Sequence, residues 1–361
     1  MFEITLHNEL DFLSETYQDL YNRSNATAFQ HPIWMSAMQK KLCKSLSFEP
    51  VTLVVKTVKE GLLVALLPLV QKRLGPFRIL EYSNFGVVDH ACAIVDRDFH
   101  DELMNWSELP DMVDNALGAY DLLWIKHVRH QELWLSTFFG KQIVIKEAGF
   151  GTYATELGDN YQTWKQNKLS ANRRSDLRRK RGKLEQAGSL ELRIASQADE
   201  IDRLFDFLRT VRADRFTGAD GKDFLQNPLF FDFYKQLAQT HSVHGYPVTA
   251  GLFLDGAIVA AAFGIKDGGT FKFLLPGADY KRFGRFSPGK VLIDLMIERL
   301  MDKGVTCFDL SVGDEDYKAS FGTKPENIYT LRASKSVAGW AGLKLIDVIK
   351  RLRASGDPLS G

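Results

Sequence analysis

The chain has 361 residues, enough for two domains of ordinary size. Its 46 Lys and Arg against 45 Asp and Glu give a net charge of +1, with 45% apolar and 25% charged residues. This balance excludes a disordered or collagen-like chain and any global attraction to nucleic acid or an anionic membrane. No apolar run approaches the roughly 20 residues of a spanning helix. The first residues, Met1-Phe-Glu-Ile-Thr-Leu-His, lack a basic segment followed by an apolar one, so the chain reads as cytoplasmic with no transmembrane segment. Cys43, Cys92 and Cys307 lie far apart and form no metal-ligand spacing or disulfide framework, which predicts buried thiols and no metal.

Residues 1–28 read as a strand and a polar helix. Phe29-Gln-His-Pro-Ile-Trp34 opens a second helix, with Pro32 suited to its first turn and Ile33, Met35, Met38 and Leu42 on its apolar face. Two apolar runs around Lys59-Glu60-Gly61 predict a β-hairpin. Short strands follow at Phe77–Tyr82 and Ala91–Val95, a helix at Asp111–Leu117, and strands after Asp121 and Gln142. These close a first α/β unit near residue 155.

From Trp164 to Lys183 the chain carries nine Lys or Arg residues and one acid, Asp176. Ser170 is the expected N-cap of this basic helix, with Leu177 and Leu184 one heptad apart on its buried side. Three readings stand for it: a solvated basic face, a site for an anionic substrate such as a lipid-linked sugar phosphate, or a surface for tRNA. A second α/β run then begins, with strand Leu190–Ala195, helices Ala198–Arg212 and Pro228–Gln239, and strands Pro247–Leu254 and Ala257–Ile265. Pro247-Val-Thr opens this second hairpin as Pro50-Val-Thr opens the first, and the order of elements around them matches. Two similarly built halves are predicted.

The stretch Phe271–Gly322 carries most of the chemistry. An apolar strand leads through a basic loop, Tyr280-Lys-Arg-Phe-Gly-Arg285-Phe286-Ser287-Pro288-Gly289-Lys290, into a helix, then to strand Val305–Leu310 and Gly313-Asp-Glu-Asp-Tyr317-Lys318. Strand, glycine-bearing loop and helix start together make an anion site, because free N–H groups and the helix dipole point at the ligand. Residues 336–353 place Val337, Trp340, Leu343, Ile346, Ile349 and Leu352 at helical spacing. This predicts an amphipathic helix over the tail 336–361, packed on the body or touching a membrane surface.

The order Ser287-Pro-Gly-Lys290, helix, Phe308-Asp309-Leu310, Gly313-Asp-Glu-Asp-Tyr317-Lys318, Phe321-Gly322 resembles the GNAT acyltransferase superfamily. It looks closest to the tandem-GNAT branch that includes CelD-like polysaccharide-biosynthesis proteins and, more distantly, Fem-type aminoacyltransferases. The resemblance implies an α/β (α+β) fold of two tandem GNAT-like domains, mixed sheets flanked by helices: residues 1–155, then 156–335 with the basic helix 165–187 at its start. It implies an acetyl-CoA or other acyl-CoA donor at Leu274, Arg285, Phe286, Ser287, Pro288, Gly289 and Lys290, and transfer to an amine of a cell-envelope or polysaccharide precursor. The usual pyrophosphate loop of the family carries more glycine, and Pro288 removes one N–H donor.

By the same resemblance, Tyr317, four residues before Phe321-Gly322, is the leaving-group acid. Asp309 at a strand end is either the base or a cap of the next turn. Lys318 neutralises a phosphate or carboxylate of the substrate, Arg178 of the basic helix contacts it, and His31, Trp34 and Asp89 line the acceptor side. The alternatives are Fem-like transfer from aminoacyl-tRNA and a non-catalytic GNAT-like subunit of a polysaccharide-synthesis complex.

Overall fold

A computed structural model describes residues 2–216 and 223–344. The chain forms two compact units, Met1–Gly149 with the chain from Asn327 on, and Phe150–Glu326. In chain order the first unit has β1 (Phe2–His7), α1 (Glu15–Arg23), α2 (Pro32–Met38), β2 (Glu49–Thr57), β3 (Leu63–Leu74), β4 (Phe77–Tyr82), β5 (Ile94–Val95), α3 (His100–Met104), α4 (Leu109–Leu117) and β6 (Leu122–Arg129). Then follow β7 (Val144–Glu156), α5 (Tyr161–Lys168), α6 (Ala171–Ala187), β8 (Leu190–Ala195), α7 (Ala198–Phe216) and α8 (Pro228–His241). The second unit continues with β9 (Pro247–Leu254), β10 (Ala257–Asp267), β11 (Thr270–Ala278), α9 (Tyr280–Phe283), α10 (Pro288–Met301) and β12 (Cys307–Val312). Last comes β13 (Lys324–Ser334), which pairs with β6 over Ile328–Ser334. The first unit therefore ends with a strand supplied from beyond the second, where the sequence places a single boundary near residue 155.

The two Pro-Val-Thr hairpins lead into the same topology. In the first unit β1, β2, β3 and β4 are antiparallel neighbours, and β4 then pairs in parallel with β6. In the second, β8, β9, β10 and β11 repeat that order, and β11 pairs in parallel with β12. Each parallel pairing is short. It spans Ile79–Glu81 against Leu122–Trp124 in one unit and Thr270–Lys272 against Cys307–Asp309 in the other. Beyond those residues the two strands part.

One face of the second sheet packs on α5, α6 and α10 through Trp164, Leu177, Leu184, Phe271, Phe273, Met296 and Phe308. Leu177 and Leu184 are the only fully buried residues of α6, as a helix otherwise lined with Arg and Lys requires. Phe205 of α7 and Tyr234 of α8 meet Phe263 on the opposite face at 5.7 and 5.5 Å between ring centres. Burial of these aromatics, at roughly 25 cal/mol per Å², is the main stabilising term of the unit. A buried carboxylate, Asp294 of α10, accepts from the Tyr161 hydroxyl at 2.8 Å and pairs with Lys165 at 3.3 Å, which ties α5 to α10.

The thiols of Cys43 and Cys92 are buried and Cys307 is half-buried. No helix among the described residues is long and apolar enough to cross a membrane. Residues 337–344 are helical, with Val337 and Trp340 85% and 56% exposed. The remainder of the expected tail helix, 345–361, lies outside the described residues.

Candidate active site

The site is built where β11 and β12 part. After Lys272 the β11 edge has no β12 partner. On its other side the register with β10 passes from Phe273↔Gly264 to Leu275↔Phe263, so Leu274 is a bulge residue without a register partner. Gly264 permits the bulge, since a Cβ there would stand 2.3 Å from the Lys272 carbonyl oxygen. A cavity of about 300 Å³ opens along this strand. Phe273, Pro276 and Gly277 form its β11 wall, Val211 and Arg212 its α7 wall, and Ser287, Gly289, Lys290 and Ile293 its α10 wall. Tyr280 and Tyr317 line it as well.

The start of α10 explains the anion-site character of that wall. Ser287 holds a left-handed conformation, φ +50°, and makes no side-chain cap. A non-glycine residue in this region costs on the order of 1 kcal/mol or more, which the surrounding packing sustains. Lys290 and Val291 donate back to the Ser287 carbonyl at 3.0 and 3.3 Å, and Pro288 has no N–H. The first turn thus presents few free donors, and side-chain cations stand in their place. Lys290 Nζ lies 3.4 Å from the Ser320 hydroxyl, which Arg173 of α6 also reaches. Burial and the neighbouring Lys180 and Arg173 charges lower the Lys290 pKa, while Asp176 opposes them. Asp176 pairs with Lys180 at 2.9 Å and with Arg179 at 2.6 Å, so it offsets the positive charge around Lys290 only in part.

Gly289 is required by a close approach. A Cβ there would stand 2.6 Å from the Tyr280 hydroxyl. Tyr280 is 53% exposed, and the contact is with the far end of its side chain, so Gly289→Ala is expected to fold but to narrow the cavity. Tyr280→Phe in the same chain removes the oxygen in conflict, and titration of acetyl-CoA, the expected donor, against both variants checks the rescue.

The loop from β12 to Tyr317 is held by buried charge. Asp309 is 4% exposed; its carboxylate accepts from Lys272 Nζ at 2.8 Å and from the Ser311 N–H at 2.7 Å. Ser311, like Ser287, is left-handed at φ +64°. Lys318, 1% exposed, donates to the Ser311, Val312 and Gly313 carbonyls at 3.1, 2.7 and 2.9 Å and pairs with Glu315 at 2.9 Å. Asp314 accepts from the Tyr153 hydroxyl and the Gly151 N–H at 2.9 and 3.0 Å. Lys318 and Asp309 together lock the turn from which Tyr317 projects into the cavity.

The expected site residues therefore separate. Ser287, Gly289, Lys290 and Tyr317 lie together on the cavity. Phe286 and Pro288 are buried behind it, and Arg285 is exposed with its guanidinium 4.6 Å from the Phe286 ring. Leu274 contributes backbone at the bulge and stands outside the lining. Asp309 is outside it too, its carboxylate oxygens engaged by Lys272 Nζ and by the Ser311 N–H of the next turn. Lys318 is engaged by the loop carbonyls and Glu315 and is absent from the cavity lining. Arg178 is exposed on α6 and lines no part of the cavity.

In the first unit His31 caps α2, its Nδ1 accepting from the Ile33 N–H at 3.2 Å. Trp34 is 0% exposed and packs edge-on against Phe29, so this indole is core and closed to an acceptor in solution. Asp89 is half-buried in a loop of the same unit. Arg212 was not foreseen. It grips both oxygens of Asp223 and donates to the Pro276 carbonyl at 3.0 Å, fixing the β11 wall from α7. No local signal connects these residues, which are brought together only by the packing of α7.

Residues 171–319 match the family described as Acetyltransferase (GNAT) domain. The matched segment of the second unit is thus similar to a GNAT-type acetyltransferase domain. No curated protein sequence matches it. Among solved structures, FemX superposes with a TM-score of 0.62 at 12% identity, covering 88% of this chain and 96% of that one. A tandem GNAT protein from the clavulanic acid biosynthesis pathway gives 0.52 at 11%, covering 93% and 99%. L-PGS from Bacillus licheniformis gives 0.53 at 12%, covering 95% and 99%. At these identities the likeness is one of fold, and it is the fold of two tandem GNAT-like domains with mixed sheets flanked by helices.

Proposed function

We propose that this GNAT-type enzyme is an N-acyltransferase that takes its acyl group from acyl-coenzyme A, acetyl-CoA first among these, and transfers it to an amine of a cell-envelope or polysaccharide precursor. The observation that carries this reading is the convergence of Lys290, Arg173 and Lys180 at the start of α10, beside a cavity that also holds Tyr317. The cations receive the phosphates of the donor, in a place where the helix start alone offers few N–H groups. The acyl group lies along the β11 edge that β12 leaves open, and a backbone N–H of that edge stabilises the oxyanion. The free amine attacks the thioester carbonyl, the C–N bond forms and the C–S bond breaks. Tyr317 gives its phenolic proton to the departing thiolate, and the proton released by the amine passes to water. Arg212, through the Pro276 carbonyl, and Asp309 and Lys318, through the Tyr317 loop, are positioning residues.

Calorimetric titration with acetyl-CoA tests this directly. Binding is expected in wild type, and Lys290→Glu with Arg173→Glu is expected to weaken it about tenfold or more, a change of roughly 1.4 kcal/mol per decade. A second reading, Fem-like transfer from aminoacyl-tRNA, is favoured by one observation: Arg178 and Arg179 are exposed on α6, on residues the cavity does not use. Salt-sensitive tRNA binding that disappears in Arg178→Ala with Arg179→Ala, together with no acetyl-CoA binding, would transfer the assignment to it.

A further inference from the structure

The first unit contains a second cavity, of about 370 Å³, in the place that corresponds by topology to the site above. It opens where β4 and β6 part after their three parallel pairs, between Glu81 and Tyr82 on one strand and Trp124, Lys126 and His127 on the other. Phe48 and Phe85, edge to face at 5.3 Å, close it from outside the sheet.

Backbone strain marks this cavity. Six described non-glycine residues have positive φ. Asp255 makes a hairpin turn between β9 and β10, Ser287 lines the cavity of the second unit, and Ser311 lies in the turn held by Asp309 and Lys318. The other three are Ser47, Phe85 and His127, at φ +57°, +48° and +62°. Phe85 and His127 line the cavity, and Ser47 lies between its lining residues Leu46 and Phe48. A left-handed phenylalanine is an outlier that folding alone does not ask for, and such strain gathers at binding sites.

The polar groups are also placed. The Val88 carbonyl lies 2.8 Å from His127 Nδ1 and accepts from Asn84 Nδ2 at 2.5 Å. A carbonyl only accepts, so in the neutral ring Nδ1 carries the proton and Nε2 is an acceptor. Asn84 Nδ2, 3.3 Å from the same Nδ1, therefore directs its hydrogen to Val88. The Asn84 Oδ1 accepts from the Gly86 N–H at 2.7 Å and the His127 carbonyl accepts from Ala91, so the loop 84–91 is sewn to β6.

We infer that this cavity binds a pyranose ring, the sugar unit of the acceptor. The inference names the acceptor class within the function proposed above, but its evidence lies wholly in the first unit. Aromatic walls match the apolar C–H face of a pyranose, and Glu81, Asn84, Lys126 and His127 offer its hydroxyls both donors and acceptors. The lining holds one acid, Glu81, and one lysine, Lys126; Lys72, outside the lining, pairs with Glu81 at 2.7 Å. A lining with no cluster of cations suits a neutral sugar better than a nucleotide.

The test is saturation-transfer NMR on the full chain with millimolar glucose and N-acetylglucosamine, with uridine monophosphate as the anionic comparison. Saturation of ring protons of at least one sugar is expected. Phe85→Gly removes an aromatic wall and the strained φ together, so it is expected to melt at or above the wild-type temperature and to lose the sugar signal about tenfold. No sugar signal in wild type, an undiminished signal in Phe85→Gly, or a nucleotide signal exceeding that of both sugars would each overturn the inference. Acetyl-CoA titrated into the same proteins reports separately on the second unit, so the two readings fail independently.

Discussion

Asp309→Asn is expected to destabilise the second unit by about 3–5 kcal/mol, because it leaves the Lys272 ammonium buried without its counter-charge. Both side chains are almost fully buried, 3% and 6% exposed, at 2.8 Å. Asparagine keeps the shape and one acceptor oxygen, so the loss reports charge rather than volume. Replacing both partners by apolar residues, Lys272→Met with Asp309→Leu, is expected to recover most of the stability, since a buried ion pair and a packed apolar pair are nearly equivalent once desolvation is counted. Urea denaturation midpoints of the two single variants and the double variant decide it. The outcome that contradicts the account is an Asp309→Asn protein with wild-type stability and abolished turnover, which is the behaviour of a catalytic base.

Tyr317→Phe is expected to lower kcat by about 100- to 10,000-fold with no change in melting temperature. The ring packs against the core of the second unit while its edge lines the cavity, so removing the oxygen alone leaves that packing in place. Loss of the leaving-group proton affects the chemical step, and KM for the donor is expected to hold. Turnover within a factor of two of wild type would move the acid role to another group or to water.

Much of the fold was legible because its signals are local. Each Pro-Val-Thr hairpin has its apolar alternation and turn glycine within a few residues, and each half repeats the same order. Ser170 caps α6, and Leu177 and Leu184 mark its only buried stripe. The cavity residues Ser287, Gly289 and Lys290 were legible for the same reason: a helix start is written in three or four consecutive residues.

What was not legible depends on register and packing between distant segments. Lys272 meets Asp309 because β11 and β12 pair in parallel, at a separation of 37 residues. A strand-end aspartate reads identically whether it faces a lysine or a substrate. Trp34 sits on a helix whose buried face includes Met35 and Met38 as well, so the sequence could not separate a wall of a site from a wall of the core. The final strand of the first unit comes from residues after the second, which no local boundary signal announces. Nor does any pattern foretell that Phe85 and His127 adopt left-handed backbone, since a bulky Phe disfavours it and a His adopts it only in a small minority of cases.

The central claim is that the second unit holds a phosphate-bearing acyl donor between the cations of α6 and α10 and the hydroxyl of Tyr317. Mass spectrometry of small molecules released from the purified wild-type protein and from the Lys290→Glu, Arg173→Glu variant tests it most directly. The account predicts an acyl-coenzyme A from wild type and none from the variant. The same acyl-coenzyme A carried equally by both proteins would contradict it.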